Sequence, residues 1–186
     1  MRLGLIADTH GNLDGWQRAW DVALNAAELI IHCGDVLYHG PKFAPAPGYA
    51  PKKLAETINR VPAPVLIARG NADADVDQLV LEVPLQQPYL LVQWEGCRLL
   101  ATHGHLLPAD ELVVLAQRWR VDYLVTAHTH VPAVRRVGRV VHINPGTPTY
   151  PLAEDEALRR PTCALIEDDT VRVFDLENGQ ELPLHL

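Results

Sequence analysis

The sequence predicts an α/β fold of short buried strands alternating with amphipathic helices, and two observations carry that expectation. Short, wholly apolar runs recur along the chain, with the length and composition of strands buried on both faces. Five of these runs also end on metal-binding side chains, in the order Asp8-Thr9-His10, Gly34-Asp35, Gly70-Asn71, His103-Gly104-His105 and His128-Thr129-His130. Residues just beyond the carboxyl ends of parallel strands share one crevice, so the five segments predict a single site. Spacing alone implies three layers, one open sheet with helices on both faces.

The first strand is Leu3-Gly4-Leu5-Ile6-Ala7, with Asp8 and His10 on its exit turn. Leu13, Trp16, Trp20, Ala23 and Ala27 then recur at helical spacing behind Asn12, a suitable N-cap, which puts both tryptophans in the core. Leu29 to Cys33 is the second strand and delivers Asp35. From Gly40-Pro41 through Pro45, Pro47 and Gly48 to Pro51 the prolines remove donors and fix φ, so this stretch is a loop excursion that either borders the substrate cleft or supplies an oligomer contact. A helix from about Lys52 to Asn59 leads to the strand Val65 to Ala68, which delivers Asn71, and a short helix is expected over Asp77 to Glu82.

Tyr89 to Trp94 and Arg98 to Ala101 read as two strands joined at Glu95-Gly96, the second ending at His103. Pro108 to Arg120 places Leu112, Leu115, Ala116 and Trp119 on one helix face, with Asp110 and Glu111 in the first turn and Arg118 and Arg120 in the last, matching the helix dipole. Asp122 to Thr126 is a strand ending at His128, and Arg139 to Ile143 one ending at Asn144-Pro145-Gly146-Thr147. Cys163 to Ile166 and Val171 to Phe174 form a hairpin turning at Asp168-Asp169. With no internal repeat or low-complexity tail, residues 1–186 read as one domain.

Composition narrows the class. The chain has 186 residues, 48% of them hydrophobic, enough to bury a real core. A formal charge of -7 gives no global attraction for polyanions, which argues against a dedicated nucleic-acid surface. Cys33, Cys97 and Cys163 are far apart and lack a C-x-x-C spacing, so neither a disulfide framework nor a zinc ribbon is expected and a reduced, cytoplasmic setting fits best. The apolar start is too short for a signal segment, and nothing approaches a membrane span.

The donors are carboxylates, an amide and imidazoles, which suit Mn²⁺, Fe²⁺, Co²⁺, Ni²⁺ or Zn²⁺, and no thiolate is placed to select a softer ion. Two such ions about 3.5 to 4 Å apart bind opposite oxygens of a phosphate and generate a bridging hydroxide nucleophile near neutral pH, so no protein nucleophile is needed. Any one of these motifs alone is an ordinary turn. Their order at successive strand exits, with five of the nine histidines inside them, carries the metal reading. His32 and His142 lie inside strands and read as hydrogen-bonded core residues, His39 as a surface residue or a substrate contact, and His185 as a tail residue. Arg69 either touches substrate phosphate or pairs with an acidic neighbour.

These residues resemble the calcineurin-like metallophosphoesterases, and within them the small bacterial phosphodiesterases of the YfcE type. The resemblance spans nearly the whole chain and includes Asp8-Thr9-His10-Gly11-Asn12, Gly34-Asp35-Val36, Gly70-Asn71, Thr102-His103-Gly104-His105, the loop from His39-Gly40-Pro41 to Gly48-Tyr49-Ala50-Pro51, and Asn144-Pro145-Gly146. It implies that Asp8, His10, Asp35 and His130 hold a first divalent ion, and Asp35, Asn71, His103 and His128 a second, with Mn²⁺ favoured. It also implies a four-layer α/β/β/α sandwich in place of one open sheet, and a homodimer or homotetramer.

Three departures from that pattern stand out. Many family members carry a histidine at the position of Ala72, where it protonates the leaving group. Alanine cannot do so, and general acid catalysis typically contributes about 10² to 10⁴-fold. His105 is the candidate replacement because it shares an exit turn with His103; the alternative is a hydrogen-bonding role beside that ligand. Ala127 stands where a glycine commonly precedes His-Thr-His, and Thr147 replaces a serine; both are conservative.

The resulting expectation is hydrolysis of a small phosphodiester, with Asp35 and Asn71 at the heart of the chemistry. A diester tolerates a missing acid better than an alkyl monoester does. A phosphomonoesterase on the same site is one alternative. A non-catalytic protein-interaction scaffold is another, disfavoured because all seven expected ligands are present. A dinucleotide-binding oxidoreductase lacks its Gly-x-Gly-x-x-Gly, and a β-lactamase-like hydrolase leaves Asp8-Thr9-His10 unexplained.

Overall fold

The computed structural model describes residues 2–184, so His185 lies outside the described residues. Along the chain run β1 (Arg2–Ile6), α1 (Leu13–Val22), β2 (Leu29–His32), α2 (Pro51–Ile58), β3 (Val65–Ala68), β4 (Leu85–Gln86), β5 (Leu90–Trp94) and β6 (Cys97–Ala101). Then follow α3 (Ala109–Arg118), β7 (Tyr123–Val125), β8 (Ala133–Val137), β9 (Val140–Asn144), β10 (Thr162–Glu167) and β11 (Thr170–Asp175). Single turns of 3₁₀ helix occupy Leu24–Ala26 and Asp75–Leu79.

The strands form two mixed sheets, in place of the one open parallel sheet that spacing suggested. The first has the order β11-β10-β1-β2-β3-β4, with β1 to β4 parallel and the β10–β11 hairpin antiparallel beside β1. The second has the order β5-β6-β7-β9-β8, with β6, β7 and β9 parallel between two antiparallel edges. Strands buried on both faces read as unbroken apolar runs whichever sheet they join, so periodicity cannot assign them to one sheet or two.

Alternation along the strands then builds the layers. Leu3, Leu5, Leu29 and Ile31 face Val92, Leu99, Tyr123, Val125 and Ile143 across the gap between the sheets. Ile6, Ile30 and Ile67 point the other way, onto Trp16, Ala19, Leu54 and Ile58 of α1 and α2. On the far side, Leu100, Leu124 and Val140 receive Leu112, Val113 and Ala116 of α3. The result is the α/β/β/α sandwich implied by the family resemblance.

Details differ from the sequence expectation for local reasons. Asn12 caps α1 by accepting from Gly15 N at 3.0 Å, but the helix stops at Val22 and does not run on through Ala27. Leu24 tucks under β1 instead, where a Cβ on Gly4 would lie 2.8 Å from Leu24 Cδ2. Trp16 is buried, whereas Trp20 packs at the margin of the same cluster. The segment expected as a helix over Asp77 to Glu82 is the 3₁₀ turn Asp75–Leu79. Glu95-Gly96 and Asp168-Asp169 are tight turns with positive φ at both positions, as hairpin geometry demands.

Candidate metal centre

The parallel strands of both sheets bring the five sequence motifs to one edge of the sandwich. The exits of β1 and β2 are joined through their backbones: Asp8 N donates to Gly34 O at 3.0 Å, His10 N to Asp35 O at 2.9 Å and Gly11 N to Val36 O at 2.7 Å. The exit of β3 crosses them in contact. A Cβ on Gly34 (φ +92°) would lie 2.5 Å from Gly70 N, so neither glycine can carry a side chain without parting the turns that hold Asp35 and Asn71.

Five of the expected ligand residues adopt a left-handed backbone: Asp8 (φ 52°), His10 (48°), Asp35 (56°), His128 (70°) and His130 (59°). Non-glycine residues rarely do so, and such strained residues cluster at functional sites.

Backbone carbonyls orient three of the imidazoles. Nδ1 of His10 donates to Tyr38 O at 2.7 Å, that of His103 to Cys33 O at 2.8 Å and that of His130 to Tyr150 O at 2.8 Å. A carbonyl only accepts, so each Nδ1 carries hydrogen and each Nε2 is left to bind inward. The Nε2 atoms of His10 and His130 come within 3.3 Å of each other. Asp8 Oδ1 lies 3.4 Å from His130 Nε2, 3.9 Å from His10 Nε2 and 4.0 Å from His103 Nε2, yet it is buried and has no hydrogen-bond partner among the described residues. An orphaned carboxylate oxygen among inward imidazole nitrogens is the signature of a cation site.

Two groups of donors meet there, Asp8 with His10 and His130, and Asp8 with Asp35 and His103. Asp35 Oδ2 lies 3.4 Å from His103 Nε2 and 3.9 Å from His10 Nε2, so it faces both groups. Asn71 Oδ1 is 3.0 Å from His103 Nε2. His128 donates its backbone N–H to Asp8 Oδ2 at 3.2 Å, and its exposed ring lies edge-on to His103 at 5.1 Å.

Charge is distributed unevenly among these groups. Burial disfavours the cationic form of His103, but its hydrogen bond to Asp35 and the charges of Asp8 and Asp35 outweigh burial and push its pKa up to about 9. The reciprocal effect overcomes burial at Asp35 and brings it down to about 2. His130 is raised because Asp8 outweighs its burial, whereas burial prevails at His10 and lowers it. The opposite directions of two rings in contact follow from distance, since Asp8 Oδ1 is nearer to His130.

Outside the donors, His32 is the hydrogen-bonded core residue expected, held by Thr9 Oγ1 at 2.9 Å and Gly34 N at 3.1 Å, with burial taking its pKa to about 3. His142 likewise pairs with Thr126 Oγ1 at 2.8 Å and Arg135 Nε at 2.9 Å. His39 lines the cleft, in ring contact with Tyr38 and Tyr49. His105 is exposed, its ring 5.3 Å from His103 and 6.1 Å from His128. Arg69 takes its acidic neighbour, pairing with Asp75 at 2.9 Å and donating to Asp73 O. Thr147 donates its hydroxyl to Asp8 O at 2.8 Å, a role a serine also fills.

Sequence reasoning missed Asp73. Its buried carboxylate accepts from Asp35 N (2.9 Å), Val36 N (2.7 Å) and Gly70 N (2.7 Å), tying two ligand turns together. Burial raises its pKa to about 6 despite those bonds. The only sequence signal was its place in Gly70-Asn71-Ala72-Asp73. Tyr150 was missed as well. Its hydroxyl donates to Ala44 O at 2.8 Å and accepts from Ala46 N at 3.1 Å, and its ring stacks on Phe43 at 4.2 Å. The proline-rich loop is thereby folded over the first donor group. It walls a cleft of about 430 Å³ that His10, Asp35, Asn71, His128 and His130 also line.

Comparison with known proteins agrees with this geometry. Residues 1–170 match the calcineurin-like phosphoesterase superfamily domain. The chain is 37% identical over 179 residues to phosphodiesterase YfcE of Escherichia coli strain K12, covering 96% of this chain and 94% of that protein. The solved structure of YfcE, described as a phosphoesterase from E. coli, superposes with a TM-score of 0.86 at 35% identity, over 98% of this chain and 97% of that one. Vps29 from Cryptosporidium parvum shares the fold, with a TM-score of 0.69 at 20% identity over 97% of this chain and 93% of that one.

Proposed function

The chain belongs to the calcineurin-like phosphoesterase superfamily and is a metal-dependent phosphodiesterase, and from that premise we propose that its seven clustered donors hold two divalent cations. Asp8, His10, Asp35 and His130 take the first ion, and Asp35, Asn71, His103 and His128 the second. Mn²⁺ is favoured, and Fe²⁺, Co²⁺, Ni²⁺ and Zn²⁺ suit the same donors. When bound, such a pair supplies a water of lowered pKa and stabilises charge on the phosphoryl oxygens. The observation that carries this reading is Asp8 Oδ1, buried without a hydrogen-bond partner among the described residues and within 4.0 Å of three imidazole nitrogens.

The chain's own residues then have distinct tasks. Asp8 and Asp35 balance the cationic charge, and the carbonyls of Tyr38, Cys33 and Tyr150 keep three imidazoles in the binding tautomer. Asn71 offers its oxygen inward, leaving its amide N–H groups to orient a phosphoryl oxygen. His105, at the rim beside His103 and His128, is the group we assign to protonating the leaving oxygen where Ala72 cannot. Arg69 braces the Asn71 turn through Asp73 O and Asp75, and from that place beside Asn71 it is the cation offered to a substrate phosphate. Because the two sheets share one apolar layer, we read residues 1–186 as one domain, and three free cysteines suit a cytoplasmic setting.

The test is hydrolysis of bis(p-nitrophenyl) phosphate and p-nitrophenyl phosphate by metal-stripped protein, before and after adding Mn²⁺, Fe²⁺, Co²⁺, Ni²⁺ or Zn²⁺ in turn, with Asp35→Asn alongside. Metal-restored diester cleavage that the variant lowers by at least about 100-fold is expected, a loss larger than that for removing an outer hydrogen-bond partner. No activity with any of the five metals would overturn the assignment in favour of a scaffold.

A further inference from the structure

Beside the metal cleft lies a second concavity of about 470 Å³, whose lining includes Tyr38, Tyr49, Pro51, Ala72, Val76 and Val80. Tyr38 and Ala72 line the metal cleft as well, so the two concavities are immediate neighbours that share those residues as a common border. We propose that this groove is the subsite for one organic substituent of the phosphodiester, an uncharged group bearing a ring, bound while the phosphate lies at the metal centre. The proposal rests on the phosphodiesterase reading and adds a substrate class to it.

A diester presents two substituents to the protein, and the one directed past Ala72 enters this groove. The wall there is apolar and exposed, with Val76 at 62%, Tyr38 at 44% and Val80 at 41% of full exposure, and contiguous exposed apolar surface marks a binding site more often than scattered residues do. The two charged residues of the lining, Lys52 and Asp77, are opposite in sign, so the groove selects no charge. Its size falls in the range of small-molecule sites, whereas a stable protein partner requires a much broader face. At that common border Ala72 contributes only a methyl group, the smallest side chain that bears a Cβ.

The wall is also built in advance. Ala74 N donates to Asp77 Oδ2 at 2.8 Å, Asn59 Nδ2 to Val80 O at 2.8 Å and Glu82 N to Asn59 Oδ1 at 3.0 Å, while Asp75 pairs with Arg69. These contacts hold the turn carrying Val76 and Val80 before any substrate arrives, so little ordering cost falls on binding.

The experiment compares diphenyl phosphate and dimethyl phosphate as competitive inhibitors of metal-loaded enzyme turning over bis(p-nitrophenyl) phosphate. It uses unaltered protein and the variants Val76→Asn and Val80→Asn, which are neutral changes at exposed positions. The expected result is that each variant weakens inhibition by diphenyl phosphate, together by about tenfold, and leaves dimethyl phosphate unchanged. Equal effects on both inhibitors, or none, would overturn the subsite while the turnover itself upholds the phosphodiesterase reading. A change in oligomeric size by light scattering, without that selective loss, would overturn it in favour of an interface between copies. Absence of turnover by the unaltered, metal-loaded protein would sink both readings, and is distinguishable because it precedes any variant.

Discussion

His10 and His130 bring their Nε2 atoms within 3.3 Å of each other while both Nδ1 hydrogens are committed to carbonyls, those of Tyr38 and Tyr150. Two inward lone pairs at that distance repel unless a proton or a metal ion stands between them. Asp8 raises the pKa of His130 while burial lowers that of His10, so of the two rings His130 is the better proton acceptor when no metal is bound.

Metal and proton therefore compete. His103, raised to about 9, holds a proton at neutral pH and must release it to bind metal, and the upward shift of His130, where Asp8 outweighs burial, opposes metal in the same sense. Calorimetry in buffers of different ionisation enthalpy should find about one proton or more released per protein on metal binding near pH 7, with affinity rising as the pH is raised toward 9. The same group sets a slope in the metal-free protein. The folded pKa of His103 lies above its ordinary 6.5, so its contribution to stability is full below about pH 6.5 and lost as the pH rises through 9. Thermal melts of stripped protein should show Tm falling across that window, and a His103→Gln variant should lack that component of the slope.

Asp73→Asn tests the tie between the ligand turns. One carbonyl oxygen cannot replace two carboxylate oxygens accepting from Asp35, Val36 and Gly70, and an amide N–H would face a backbone N–H. A loss of about 1 to 3 kcal/mol in urea unfolding is expected, together with weaker metal binding. An unchanged midpoint would show that the turns stand without it.

Tyr150→Phe keeps the stack on Phe43 and the carbonyl that holds His130, and removes only the hydroxyl bonded to Ala44 and Ala46. Stability should fall by about 1 kcal/mol, with KM for diesters rising more than kcat falls, because the loop walls the cleft. An equal fall in kcat would place the hydroxyl's effect on the metal centre instead.

His105→Gln separates good leaving groups from poor ones. Burial, then the neighbouring His103 and His128, lowers its pKa below the ordinary 6.5, so its acidic form grows only as the pH falls beneath that value. For alkyl diesters kcat should fall as the pH rises through the His105 pKa, a pH dependence that the variant removes with a loss of about 10²-fold at low pH, while nitrophenyl diesters change little. Equal loss for both classes would assign His105 to holding the metal centre.

The strand exits were legible because each apolar run stops at a residue that seeks water or metal, and Asp8, Asp35, Asn71, His103 and His128 all follow strands of the structure. The pairing of β1 to β4 in one sheet and β6, β7 and β9 in another was not, since Leu5 and Leu99 look alike wherever they pack. The edge strand β8 was hidden because Arg135 and Arg136 break its apolar pattern. Asp73 resembles any acidic loop residue until the fold buries it against three N–H groups. The carbonyls of Tyr38, Cys33 and Tyr150 leave no trace at all, because the backbone oxygen that orients an imidazole is common to every residue type.

The left-handed conformations at Asp8, His10, Asp35, His128 and His130 bear on any effort to make the protein tougher. Glycine adopts that backbone without the steric penalty, which is of order 1 kcal/mol per position for a side-chain-bearing residue. A blind selection for heat resistance in the absence of metal should therefore accumulate glycines at these very positions, dismantling the catalyst while the sandwich survives. Screening in the presence of Mn²⁺ should reverse that preference, because only then does the folded state recover binding energy from the side chains it strains to present.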